Sequence, residues 1–521
     1  MNRQYQSIMI LAAMVLITIA ATARADNPTC SLLYVYTGTS YDELGWSVSG
    51  AGDFNNDGYG DVIIGAPGPN NRAFIYSGSD GSLLCEIINE GDDDDFGISV
   101  SDVGDINKDG YGDVLVGAPF NDAGGTDAGR VYLFWGSSGS FPVTLSAANA
   151  NLILTGETAG VEFGISVSGT GDFNGDGYPD FIIGASKDAG KAYIFSGLTG
   201  LVLLTISGET SSDHFGRYLS DAGDFNNDGY SDVIIGAPDN DAGRAYLFLG
   251  GPGPYPLTKD AANADLIIVG EASGDKFSQN VSNAGDINND GFGDLIIGAV
   301  WNDAGGHDGG RAYIFYGYNI LSQDVLPAAD ADWIITAEGG NNEFGDYVSN
   351  AGDINLDGFG DFIIGADGAA GQIGHAYIFL GRDGSGPFSL SASNAYLCLT
   401  GEGAADEFGT VSDAGDVNDD GIIDLIIGAP YYQGGGRNGR AYVYAMVHHD
   451  LLYSPSIQSF DSELVVPLRF CCQTPTAAYQ VSLCWEPADF ELKSVSFAGT
   501  AVDSWGFKGQ IIDNENQNVL I

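Results

Sequence analysis

Asp53-Phe54-Asn55-Asn56-Asp57-Gly58-Tyr59-Gly60-Asp61 is the stretch around which this chain is organised. The same nine-residue pattern returns at Asp105, Asp172, Asp224, Asp286, Asp353 and Asp416. In every copy positions one, five and nine are Asp, position three is Asn and position six is Gly. Short oxygen-bearing side chains on alternate positions, with a Gly for the sharp turn, are the ligand alphabet of a hard cation. Three carboxylates in nine residues repel one another, and a divalent ion removes that repulsion. The oxygen-rich, flexible loop favours Ca²⁺ over Mg²⁺. Metal-free Asn/Asp/Gly turns are the alternative, but turn chemistry does not require Asp at position nine in all seven copies.

The candidate ligands are the side chains at positions one, three, five and nine and the backbone carbonyl at position seven. They are Asp53, Asn55, Asp57, Tyr59 and Asp61; Asp105, Asn107, Asp109, Tyr111 and Asp113; Asp172, Asn174, Asp176, Tyr178 and Asp180; and Asp224, Asn226, Asp228, Tyr230 and Asp232. The last three sets are Asp286, Asn288, Asp290, Phe292 and Asp294; Asp353, Asn355, Asp357, Phe359 and Asp361; and Asp416, Asn418, Asp420, Ile422 and Asp424. An EF-hand begins in the same way but needs Glu at position twelve and flanking helices. Position twelve here is Ile64, Val116, Ile183, Ile235, Ile297, Ile364 and Ile427, inside apolar β-branched runs, so the loop feeds a strand.

The loop starts are 52, 67, 52, 62, 67 and 63 residues apart. Four short apolar runs per period predict a propeller blade. In the second unit the strands are expected at Phe96–Ser101 (A), Val114–Pro119 (B), Arg130–Phe134 (C) and Asn151–Thr155 (D). Strand B is apolar on both faces, as a buried strand should be. No clear strand D follows the seventh C strand at Ala441–Tyr444, whereas Leu32–Thr37 at the N-terminus resembles a D strand. The expectation is an all-β, seven-bladed propeller over residues 30–450, with the N-terminal strand closing the last blade and hiding the sheet edges.

The units resemble FG-GAP repeats, as in the N-terminal β-propeller of integrin alpha chains. The first half of the motif stands at Phe96-Gly97, Phe163-Gly164, Phe215-Gly216, Phe344-Gly345 and Phe408-Gly409. The second stands at Gly65-Ala66-Pro67, Gly117-Ala118-Pro119, Gly236-Ala237-Pro238 and Gly428-Ala429-Pro430. This resemblance implies a seven-bladed propeller with Ca²⁺ between strands A and B, up to seven ions in structural roles. Departures fall at Leu44-Gly45, Phe277-Ser278, Ser186, Val300 and Asp367, and the seventh unit is one residue shorter after Phe408-Gly409.

The 521-residue chain carries 18 Lys+Arg against 70 Asp+Glu, a formal net charge of -52. That excludes nucleic acid, whose phosphates need Lys and Arg, and disfavours docking on anionic lipid. Residues 1–25 read as a secretory signal peptide: Arg3, an apolar run Ile8–Ala20, then Ala23-Arg24-Ala25. No other stretch is long enough to span a membrane, so a secreted or cell-surface address is expected. Export permits disulfides among the six Cys, with the pairing left open.

Residues 453–521 lose the repeat, and strands are expected at Leu464–Leu468, Tyr479–Leu483 and Phe490–Phe497. Val481–Pro487 resembles the start of a cohesin-like or carbohydrate-binding β-sandwich, and the segment reads as a partial one.

Alternating strand directions put the acidic loops on one rim and the B–C turns on the other. Phe120, Trp301, Tyr431 and Tyr432 follow strand B on that second rim and are candidate ligand-binding residues, because exposed aromatics anchor partners or stack on sugars. The expected function is a secreted calcium-binding adhesion or recognition module for an extracellular protein or glycan. A purely structural scaffold module is the alternative, and a propeller-type polysaccharide-active enzyme a third. Catalysis is not expected: the five His show no metal-ligand spacing and no Gly-x-Ser-x-Gly elbow is present.

Overall fold

The computed structural model describes residues 29–447 except 92, 139–143, 321–322, 385 and 433–436, together with four short strands beyond 457. The first group forms seven sheets whose inner strands neighbour one another in chain order, the seventh returning to the first. Blade 4 gives the pattern: strand A Tyr218–Gly223, B Asp232–Ala237, C Arg244–Phe248 and D Leu266–Val269, antiparallel throughout. All of its strand B is buried, which explains the unbroken apolar runs read in the sequence. In blade 2 strand A runs Val100–Gly104, later than the Phe96–Ser101 expected, since Gly97 turns the chain at φ 92°.

Apolar side chains collect in seven clusters, one between each pair of adjacent blades. The repeat motif is the geometry of those seams. A Cβ on Gly117 would stand 2.1 Å from the carbonyl oxygen of Gly164 in the next blade, and Gly65 meets Gly97 in the same way at 2.0 Å. The motif Phe packs edge-on against a strand C Tyr, as in Phe96–Tyr132 and Phe277–Tyr313, both at 5.5 Å. Where Ser278 replaces Gly its φ is 69°. Its hydroxyl donates to the Arg244 carbonyl at 2.7 Å and accepts from the Ala237 N–H at 3.1 Å, so the buried polar group is satisfied.

The ring closes as expected. Thr29–Thr37 pairs antiparallel with strand C of blade 7, Arg440–Val447, outside Asp424–Ala429 and Thr410–Gly415. Tyr36 is buried and stacks on Tyr76 of blade 1 at 3.9 Å.

Four short strands were not legible in the sequence. In units two, four, five and six the long link from C to D reaches back and pairs in parallel with strand D of the preceding blade. These fifth strands are Thr144–Ser146, Leu257–Asp260, Asp324–Pro327 and Phe388–Ser391. Each leads into a 3₁₀ turn that begins on a buried alanine: Ala147, Ala261, Ala328 or Ala392.

Beyond 457 the structure describes a pair Gln458–Phe460 with Glu463–Val465 and a pair Gln510–Ile511 with Val519–Leu520. The strand expectations at Tyr479–Leu483 and Phe490–Phe497, the sandwich resemblance and the signal peptide lie outside the described residues. No helix among the described residues is long and apolar enough to cross a membrane. Cys30, Cys85 and Cys398 carry free thiols; Cys471, Cys472 and Cys484 lie outside the described residues.

Candidate metal loops and the opposite rim

All seven loops take one conformation. Position six turns at a positive φ, from 85° at Gly421 to 93° at Gly58, and position four also lies at positive φ in every copy. This is the backbone that Gly tolerates without cost. The first Asp of each loop accepts the N–H groups of positions five and six, one per oxygen, and Asp172 takes a third from Gly175. Asp53 Oδ1 takes Asp57 N–H and Oδ2 takes Gly58 N–H, both at 2.9 Å. Asp286 does the same with Asp290 and Gly291 at 3.0 and 2.9 Å. The fifth Asp accepts the N–H of position seven, as Asp57 does from Tyr59 at 3.1 Å.

Position nine does a different job. Asp61, Asp113, Asp180, Asp232, Asp294, Asp361 and Asp424 are all fully buried. Asp294 Oδ2 accepts Ile287 N–H at 2.9 Å, and Oδ1 accepts Gly317 N–H at 2.8 Å. The carboxylate therefore ties the loop base to the end of strand C. Burial, together with the charges of Asp290 and Asp286, pushes Asp294 up to about 8, against the pull of those N–H groups. Burial likewise raises Asp61 to about 7.

A hard divalent cation fits this donor set. Each loop gathers three carboxylates and one Asn amide, and the charges of the first and fifth Asp add to burial in raising the ninth. In the first and last copies the buried Asn55 Oδ1 and Asn418 Oδ1 have no hydrogen-bond partner.

The aromatics on the opposite rim do not form one patch. Trp301 is 42% exposed, with the Lys276 ammonium 5.1 Å from its ring. Phe120, on blade 2, is half-buried. Tyr431 and Tyr432 are half-buried; Tyr431 meets Trp46 edge-on at 6.0 Å and the Arg437 guanidinium at 4.8 Å, while Arg440 lies 3.6 Å over Tyr432.

Beside Tyr431 the structure gathers carboxylates that sequence reading passed over. Asp367 and Asp346 share a hydrogen bond, and Gln279 Nε2 donates to Asp346 Oδ1 at 2.7 Å. Burial and the charges of Asp346 and Glu343 hold Asp367 well above the carboxylate range, and burial with Glu343 and Asp346 raises Glu407 to about 7. The signals were present in the sequence: Asp367 stands where four units have Pro, and the seventh unit is one residue short.

A pH dependence follows. Carboxyls whose folded pKa exceeds the unfolded value hold more protons when folded, so stability falls as pH rises. For Glu407 that window runs from 4.5 to about 7. With calcium present, Asp367→Asn should flatten the loss of stability between pH 5 and 8 and gain about 1 kcal/mol at pH 8, the order of one pKa unit. Denaturant melts across that range measure it, and parallel curves for the two proteins would contradict it.

Comparison with known proteins agrees with this geometry. The FG-GAP repeat family model matches residues 44–83, 96–134, 163–195, 218–248 and 408–444, in blades 1 to 4 and 7. Integrin alpha-PS5 of Drosophila melanogaster is 35% identical over 191 residues, which is 35% of this chain and 18% of that protein. Integrin alpha-5 of Xenopus laevis is 32% identical over 221 residues, 38% of this chain and 20% of that one. The chain thus spans a fifth or less of the length of these relatives. Among solved structures, the crystal structure of BBS1N in complex with ARL6DN aligns at 9% identity with a TM-score of 0.46, over 81% of this chain and 98% of that chain. The described residues between 29 and 447 form a seven-bladed β-propeller, five of whose blades match the FG-GAP repeat model, and parts of the chain are similar in sequence to integrin alpha chains.

Proposed function

We propose that this chain is an exported adhesion or recognition module, stabilised by calcium on one rim and binding an extracellular protein or glycan with the other. The observation that carries the reading is the segregation of the rims. Seven identically folded acidic loops occupy one. The other is left with exposed or half-buried Trp301, Tyr431, Trp46 and Phe120. The similarity to integrin alpha chains supports it.

In each loop, Asp at positions one, five and nine, Asn at three and the carbonyl at seven would hold the ion. The ion would supply positive charge that offsets three crowded carboxylates. It would not take part in catalysis, and we infer no enzymatic activity. The role of the ion is to add its binding free energy to that of the fold.

Glycan-array and pull-down binding of the full chain in calcium, compared with Trp301→Ala and Tyr431→Ala, tests the reading. A loss of at least tenfold in either variant is expected. A scaffold role would show as no binding by any of the three, and undiminished binding by both variants would move the site off this rim.

A further inference from the structure

The acidic loops touch one another through their own backbone. In five of the seven seams the N–H of position eight donates to the carbonyl of the first Asp in the preceding loop. Gly112 donates to Asp53 at 3.0 Å, Ser231 to Asp172 at 3.2 Å, Gly293 to Asp224 at 2.9 Å and Gly360 to Asp286 at 2.7 Å. Across the closure of the ring Gly60 donates to Asp416 at 2.8 Å. In three of these seams a second bond runs alongside. Ser137, Gly251 and Arg382, just past strand C, donate to the carbonyls of Phe54, Phe173 and Ile287 at 2.9, 2.8 and 2.9 Å. The residues before them, Gly136, Gly250 and Gly381, are held by the ninth Asp of their own unit.

Two seams differ. Position eight of the third loop is Pro179, which has no N–H to give. What crosses there is the side chain of Lys108 from the second loop, its ammonium 4.3 Å from the centre of the Tyr178 ring. Position eight of the seventh loop is Ile423, whose side chain packs on Gly352. Among the described residues its N–H makes no bond to the Asp353 carbonyl. The links therefore run through loops three to six, and through loops seven, one and two.

Each link joins ligand to ligand. The N–H of position eight and the carbonyl of position seven belong to one planar peptide unit, conjugated through its C–N bond. That carbonyl is the backbone ligand assigned above to its own loop. Electron density drawn from its oxygen makes the N–H a stronger donor. The acceptor is the carbonyl of the residue whose carboxylate is the first ligand of the preceding loop. Order gained in one loop thus fixes a ligand of the next, and a coupling of binding free energies acts equally in both directions.

We propose that the acidic loops take up calcium cooperatively in two runs, loops three to six and loops seven, one and two, coupled by the peptide unit between positions seven and eight and interrupted at Pro179. This rests on the calcium reading of the loops. Repulsion between ions in neighbouring loops acts in the opposite sense. It is common to every seam, however, and salt at physiological strength screens it beyond about 8 Å. The contrast between a bonded seam and the Pro179 seam isolates the peptide link.

Hydrogen exchange read by mass spectrometry, with calcium titrated into the full chain, gives each loop its own midpoint. Asp228→Asn weakens the fourth loop while keeping the oxygen that accepts the Tyr230 N–H. It should raise the calcium midpoints of loops three and five by about threefold or more, the scale of one hydrogen bond, and leave loops one and two unchanged. With Ser231→Pro added, the effect on loop three should vanish and that on loop five remain. Proline already holds this position in the third loop, which makes the same turn, so the substitution keeps the shape of the fourth. Asp176→Asn in the third loop should shift loop four and leave loop two, across the Pro179 seam, where it was. Midpoints that ignore a weakened neighbour overturn the proposal, and so does a shift of loop three that survives Ser231→Pro. Loops that gain no protection with calcium would instead defeat the calcium reading itself, a result distinct from loops that each respond alone.

Discussion

Excess chelator will lower the melting temperature of the full chain steeply and in proportion to the number of loops that bind. An ion that binds only the folded loop adds RT ln(1 + [Ca²⁺]/Kd), about 2.7 kcal/mol per independent site at a hundredfold excess over Kd. Three such sites already match the ~5–15 kcal/mol net stability of a typical domain. The loops here share one backbone conformation, and in each a fully buried ninth Asp ties the loop to strand C. Removing a bound ion would leave three mutually repelling carboxylates at a loop, and that repulsion would reach the blade through the tie. Calorimetry in calcium and in chelator measures the effect. An identical melt in both would remove the metal from the stability of the fold. Asp294→Ala is a useful companion. It deletes the acceptor of Ile287 and Gly317 N–H, and should cost about 3 kcal/mol without calcium, from leaving buried donors unpaired, and more with calcium, because the ninth Asp is also a proposed ligand of the ion.

Opening the ring is the second large effect. A chain begun at Gly38 loses the strand that pairs with Arg440–Val447 over Thr29–Thr37. The seam between blades 7 and 1 then loses Tyr36, Tyr34 and Leu33. Tyr36 alone is 7% exposed and stacks on Tyr76, so Tyr36→Ala should cost about 3–5 kcal/mol, the range for large aromatic truncations in cores. The truncated chain should melt at a lower temperature than the parent, and a peptide of residues 29–37 supplied in trans should restore part of the loss. Circular dichroism melts test both, and a Tyr36→Ala variant within about 0.5 kcal/mol of the parent would sink the closure argument.

The parts of the fold legible in the sequence are those in which one residue's environment repeats locally. Strands B were readable because both faces are walled by neighbouring blades, which leaves a run such as Val233-Ile234-Ile235 no polar option. The shared fold of the acidic loops was readable because every residue of the pattern lies within nine positions. The closing strand was readable by subtraction, since blade 7 lacked its own D strand.

The fifth strands were not readable. Each is three or four residues long, and it is held by the preceding blade rather than by its own sequence pattern. The carboxylate group at Asp346 and Asp367 escaped for a related reason. Asp367 was visible as a departure, but Asp346 was not, and the interaction that joins them to Glu407 crosses from one blade to the next. Ser278 shows the converse: it breaks the repeat in sequence yet keeps the backbone turn, because its hydroxyl supplies two bonds that Gly cannot.

The backward reach of the connectors sets the order in which the ring can be finished during synthesis. A blade whose flank waits for a strand made later leaves the ribosome with a raw margin, and only its successor seals it. At blades 1, 3, 4 and 5 assembly therefore advances hand over hand, the newcomer locking the one before. Thr29–Thr37, the first of the described strands, has no mate until Arg440–Val447 emerges, so it waits through the synthesis of all seven blades before it can pair.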